Sequence, residues 1–106
     1  MDKELKRGVL DVCVLRAIKE KDSYGYEMVK NISEHMEISE STLYPILRRL
    51  EEKNCLIEYK TEHNGRLRKY YHITKDGLAK IEEFKNEFHE LLEVYDYICE
   101  GDGIGD

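Results

Sequence analysis

The stretch Ser39-Glu40-Ser41-Thr42-Leu43-Tyr44-Pro45-Ile46-Leu47-Arg48-Arg49-Leu50, followed shortly by Asn64-Gly65-Arg66-Leu67-Arg68-Lys69-Tyr70-Tyr71, decides how this chain is read. In the first segment Leu43, Ile46, Leu47 and Leu50 recur at helical spacing and make one apolar stripe, which leaves Thr42, Tyr44, Arg48 and Arg49 on or beside the outward face. The helix begins at Ser39 or Ser41. Pro45 favours Ser41 as the N-cap, because a proline in the first turn gives up an N–H that has no partner there anyway, whereas deeper in the helix it breaks a hydrogen bond and kinks the chain. Asn54 ends the helix, since asparagine tolerates the left-handed conformation of C-terminal caps.

The second segment is a hairpin. Leu56 to Glu62 and Leu67 to Thr74 alternate and are rich in Ile, Tyr and Thr, and Asn64-Gly65 between them is a strong type I′ turn signal. With those two as loop residues, Thr61 faces Arg68, Tyr59 faces Tyr70, and Lys60 faces Lys69. Two lysines set opposite one another repel unless an anion lies beyond them, and phosphate is such an anion. An arginine-bearing helix beside a cationic two-stranded ribbon has the dimensions and charge to meet duplex DNA.

Bulk composition points the other way, with 17 Lys+Arg against 23 Asp+Glu and a net charge of -6. The distribution removes the conflict. Residues 1–76 hold 15 basic and 14 acidic side chains, a balance of +1, while residues 77–106 hold 2 and 9, a balance of -7. Residues 60–75 carry five basic groups against Glu62 alone. Screening acts over roughly 8 Å at physiological salt, so a distant acidic segment does not cancel a local basic strip.

Working outward, Leu5 to about Lys21 is dense in apolar positions (Leu5, Val9, Val12, Cys13, Ile18) and reads as a largely buried helix. Asp22-Ser23 caps a second, amphipathic helix from about Tyr24 to His35, with Tyr24, Met28, Val29 and Ile32 on one face. From Lys75 to about Cys99 a long helix carries Ile81, Phe84, Phe88, Leu91, Leu92, Tyr95 and Ile98 at spacings of three and four, apart from the neighbouring Leu92. One chain of this size has little left to cover that stripe, so it reads as the seam of a homodimer. The expected class is therefore mainly α with a small β-hairpin (α+β): a winged helix-turn-helix over 1–75, a C-terminal dimerisation helix over 76–99, and an acidic flexible tail over 100–106.

Other function classes have little support. His35, His63, His72 and His89 are scattered, and there is no H-E-x-x-H, nucleophile elbow or Gly-rich phosphate loop, so neither an enzyme nor a cofactor is expected. Cys13, Cys55 and Cys99 lack a C-x-x-C pair and fit reduced thiols. A metal or redox sensor using Cys13 or Cys99 with His89, and a winged helix used for protein contacts, stand as alternatives. Charged residues interrupt every apolar run well short of the ~20 residues a membrane span needs, and a soluble, cytoplasmic protein is expected.

At this point the residues resemble a known family. Tyr24-Gly25-Tyr26-Glu27, Ser41-Thr42-Leu43-Tyr44-Pro45 with Arg49-Leu50-Glu51, and Gly65-Arg66-Leu67-Arg68-Lys69-Tyr70-Tyr71 with Ile73-Thr74 look like the signature blocks of PadR-like transcriptional regulators. The single C-terminal helix is similar to the shorter branch of that family, in which it mediates dimerisation while the winged helix binds operator DNA. Ser41 and Asn54 stand where the family usually has glycine, and Leu67 where proline often follows the wing arginine. The resemblance implies a repressor acting as a homodimer on a palindromic operator. Ser41, Thr42 and Tyr44 would then meet phosphates or base edges, Arg48 or Arg49 would reach guanine or the backbone, and Lys60, Arg66, Arg68 and Lys69 would hold the flanking phosphates. Effector identity does not carry over from the resemblance; a second reading, from another class, is a small-molecule sensor whose dimer seam, lined by Phe88, Tyr95 and first-helix side chains, binds a planar hydrophobic effector and shifts the spacing of the two reading heads.

Overall fold

The computed structural model describes residues 1–100. The elements run α1 (Lys3–Ala17), β1 (Ser23–Tyr24), α2 (Gly25–Ile32), α3 (Glu40–Glu52), β2 (Leu56–His63), β3 (Arg66–Ile73) and α4 (Lys75–Cys99). The strands form one antiparallel sheet in the order β1-β3-β2. The fold is a winged helix carrying a long C-terminal helix.

α3 buries Leu43, Ile46, Leu47 and Leu50, the stripe expected from spacing. Its start differs from expectation. Ser39, not Ser41, is the N-cap: its Oγ accepts the Thr42 N–H at 3.3 Å. Ser39 Oγ also lies 3.0 Å from Ser41 Oγ and 3.1 Å from Thr42 Oγ1, so a cluster of three hydroxyls competes successfully with the position that would have suited proline better. Pro45 consequently sits inside the helix, where it can offer no N–H to the Ser41 carbonyl. The other end follows expectation: Asn54 adopts φ 63°, and the N–H groups of Asn54 and Cys55 reach back to the carbonyls of Glu51 and Leu50 at 3.0 and 2.9 Å, a Schellman closure.

The wing has the expected register, with Thr61 opposite Arg68, Lys60 opposite Lys69 and Tyr59 opposite Tyr70. Asn64 and Gly65 both have positive φ, 53° and 78°, as a type I′ turn requires.

Two readings of the first helices need correction. α1 stops at Ala17 rather than near Lys21, and of the apolar positions singled out only Ile18 is buried; Leu10, Val14 and Leu15 face the core instead. α1 is apolar on two sides, and periodicity cannot say which side its neighbours occupy. Similarly, α2 is shorter than Tyr24–His35, because Ser23–Tyr24 leaves the helix to pair with Tyr71 and Tyr70 as a third strand.

α4 is fastened at its first turn. Thr74 Oγ1 accepts the Gly77 N–H at 3.1 Å and donates to the Asn54 carbonyl at 2.6 Å, tying the start of α4 to the end of α3. Gly77 lies so close to β2 that a Cβ there would overlap the Cys55 carbonyl oxygen. Beyond Ile81, which is buried in the chain's own core, α4 leaves the body. The radius of gyration is 16.6 Å and the extents are 61 × 25 × 22 Å, where a compact chain of this length would have a radius of gyration near ~13 Å. The expected acidic tail, apart from Glu100, lies outside the described residues.

Candidate nucleic-acid interface

α3 presents Ser41, Thr42, Tyr44 and Arg48 to solvent on one face. Beside them rises the wing, on which Lys60, Arg66 and Lys69 are exposed and Arg68 is half-buried. Between α2, α3 and the edge of β3 lies a groove of about 490 Å³, lined in part by Gly25, Tyr26, Tyr44, Arg68, Lys69 and Tyr71. Glu40 stands at its rim. At Gly25 a Cβ would overlap the Tyr44 hydroxyl, so glycine there lets the Tyr44 side chain lie against the start of α2. The Ser39–Ser41–Thr42 hydroxyls sit at the N-terminus of α3, where helix dipole and free N–H groups favour an anion.

The wing cations are held without being tied down. The Arg68 guanidinium lies 4.4 Å from the centre of the Tyr24 ring, a cation–π contact that orients it along the groove. Lys69 Nζ is 3.8 Å from Glu58 Oε1 with both groups reaching solvent, an ion pair that contributes about 0–1 kcal/mol and yields readily to a phosphate. Tyr24, Tyr70 and Tyr59 line up across three strands, with ring centres 5.5 and 5.9 Å apart. At the foot of this ladder Asp22 accepts the Tyr59 hydroxyl at 2.6 Å and pairs with His72 Nδ1 at 2.8 Å, so one carboxylate on the α1–β1 loop holds both wing strands. Burial pushes the Asp22 carboxyl upward, but the two hydrogen bonds and the charge of His72 outweigh it and leave it below its ordinary value. Burial, with Glu58, Tyr44 and Glu51 nearby, pushes the Tyr71 hydroxyl up to about 12.

Arg49 does not share the exposed face of Ser41, Thr42, Tyr44 and Arg48. It turns inward and forms an ion pair with Asp11 of α1, itself 6% exposed, and its Nε–H is buried without a hydrogen-bond partner among the described residues. Nor does it pair with the glutamates of its own helix. The signal was present in the sequence: Asp11 shares a helical face with Leu10, Val14 and Leu15, and a carboxylate in a buried stripe requires a cation. Asp22, Gly25 and Tyr26 were also missed, since nothing local announces a latch or a close approach.

The proposed seam residues divide. Ile81 belongs to the chain's own core and leaves the set, while Phe84 is half-buried and stacked on Phe88 at 6.0 Å. Phe88, Leu91, Leu92, Tyr95 and Ile98 are exposed, at 46%, 53%, 43%, 57% and 66%. On the adjoining side of the molecule α1, α2 and α4 enclose a second groove of about 930 Å³, reached by Val12, Cys13, Ile32 and Phe84 among others. All three cysteines are free, and burial raises the Cys13 and Cys55 thiols above their ordinary value. Among the described residues no three metal-ligating side chains come together, and no helix is long and apolar enough to cross a membrane.

A three-helix body, a hairpin wing with a cationic edge and a reading helix whose polar face is open define a winged helix-turn-helix protein of the kind found in transcription regulators. The chain belongs to the PadR-like family of transcriptional regulators, whose family model matches residues 14–83. It is 41% identical over 103 residues to an uncharacterised protein of Lysinibacillus sphaericus, covering 92% of this chain and 94% of that one. Among solved structures it is similar to a PadR family transcriptional regulator from Eggerthella lenta, with 35% identity, coverage of 92% and 88% and a TM-score of 0.81. It is similar also to a PadR family transcription regulator from Clostridium difficile, with 33% identity, coverage of 84% and 96% and a TM-score of 0.77. As a family of regulators these proteins are not enzymes.

Proposed function

We propose that this protein is a cytoplasmic repressor that binds a palindromic operator as a homodimer, with residues 1–75 reading DNA and 76–99 joining two copies. The observation that carries this reading is the groove between α2, α3 and β3, where Tyr44 and the open face of α3 lie alongside Arg68 and Lys69. α3 enters the major groove, and Ser41, Thr42, Tyr44 and Arg48 meet phosphates or base edges. Lys60, Arg66, Arg68 and Lys69 engage the flanking backbone. Arg49 takes no direct part. The exposed stripe Phe88–Ile98 is covered by a second copy, which sets two reading heads about one helical turn, roughly 34 Å, apart.

Selection of bound sequences from a random duplex pool tests the reading, because an enriched palindrome reports specificity, symmetry and spacing together. Salt dependence tests the wing. Arg68→Ala with Lys69→Ala should weaken binding to every sequence and flatten the slope of log K against log salt by about two units, at about 0.9 per phosphate contact. An unchanged slope removes the wing from the interface.

The groove of about 930 Å³ between α1, α2 and α4 favours an added effector response. Its apolar wall, including Val12 and Phe84, suits a planar hydrophobic molecule, placed nearer the body than the Phe88–Tyr95 seam. Titration with planar dyes, scored for operator release, tests it.

A further inference from the structure

The Asp11–Arg49 pair joins two elements with different duties. Asp11 lies on the inner face of α1 with Leu10, Val14 and Leu15, while Val12 and Cys13 of the same helix share a groove with Ile81 and Phe84 of α4. Arg49 lies on α3, next in sequence to Arg48 and one turn beyond Tyr44, both of which face solvent. Otherwise α1 and α3 adjoin within a largely aliphatic core to which α1 gives Leu10, Val14 and Leu15 and α3 gives Leu43, Leu47 and Leu50. Aliphatic surfaces of that kind tolerate small slides and rotations, since burial is not directional. An ion pair is more demanding, because the one bond from the Arg49 guanidinium to an Asp11 carboxylate oxygen holds only while the two helices keep those groups at hydrogen-bond distance.

Energetics argues that stability is not the reason for the pair. A buried ion pair gains little over well-packed apolar residues of equal volume, and the best-attested use of such pairs is to fix register. Here the Arg49 Nε–H is also buried with no hydrogen-bond partner among the described residues, a cost that apolar packing would avoid.

We infer that Asp11 and Arg49 are positioning residues for DNA reading: the pair sets the rotation and axial register of α3 on α1, and so ties the aim of Tyr44 and Arg48 to the helix that borders the partner-facing side of the molecule. The inference rests on the DNA-reading assignment above. Neither residue touches DNA.

The test replaces the pair by apolar residues of similar length, Asp11→Leu with Arg49→Met, and measures affinity for the selected operator and for random duplex at one salt concentration, with melting temperature in parallel. Folding and random-duplex affinity should be kept, since Arg48 and the wing cations remain. The operator-to-random ratio should fall about tenfold, comparable to spoiling one base-pair contact. Arg49→Lys, which keeps the charge but places it on a differently shaped head group, should fold and give an intermediate ratio. An operator-to-random ratio unchanged in either folded variant overturns the inference and leaves the pair a purely structural contact. Failure of the unaltered protein to bind either duplex instead overturns the DNA-reading assignment, so the two failures are distinguishable.

Discussion

At the residue scale, small groups decide where large ones go. Gly77 sits in ordinary helical backbone, where alanine would by propensity be better by about 1 kcal/mol. Against that stands overlap with the Cys55 carbonyl, a backbone atom that cannot swing aside, and overpacking of this kind costs about 1–3 kcal/mol. The steric cost wins, so Gly77→Ala should lower the urea midpoint and loosen the root of α4. Tyr71 offers a second test. Its hydroxyl is pushed up to about 12, so the folded state holds its proton more tightly than the unfolded chain does. The corresponding stability is complete below the ordinary tyrosine value of 10 and is lost as pH rises from 10 through about 12. Absorbance titration at alkaline pH should show a late-ionising fraction that vanishes in Tyr71→Phe.

At the scale of elements, the wing is not a free hairpin. Its strands are joined to the body by β1 and by Asp22, which bridges Tyr59 of β2 and His72 of β3. Because the folded carboxyl of Asp22 titrates below its ordinary value of 3.8, the latch contributes stability above that pH and loses it as pH falls through the lowered value. Asp22→Asn should therefore speed amide hydrogen exchange in Leu56–Ile73 at neutral pH, and the difference from the unaltered protein should shrink below about pH 4. Equal exchange at neutral pH would remove Asp22 as the latch. The hairpin's own register was legible once Asn64 and Gly65 were taken as the two loop residues of a type I′ turn, and the observed pairing is the one that turn gives. β1 was not, because a two-residue strand has no period and exists only by pairing with Tyr70 and Tyr71.

At the scale of the whole molecule, the elongated shape and the exposed end of α4 are what the proposed second copy would cover. Phe88→Glu with Tyr95→Glu places like charges in the proposed seam while leaving the core, which ends at Ile81, untouched. This variant should sediment as a monomer at micromolar concentration and lose operator affinity by about 100-fold or more, the contribution of linking two reading heads. Full operator affinity in a demonstrably monomeric variant would contradict the two-headed arrangement.

The sequence by itself determined the elements whose signals are local: the apolar stripe of α3, the Asn54 cap, the type I′ turn with its register, and the length of α4. It also carried the family blocks, because these are strings of adjacent residues. Tertiary structure alone decided which face of α1 is inside, that Ile81 belongs to the core, and that Arg49 answers Asp11. The physical reason is common to all three. Periodicity states that a face exists, but what that face meets is fixed by residues 38 or more positions away in the case of Arg49, and the free energy of a buried charge or a packed side chain belongs to the pair, not to either sequence position.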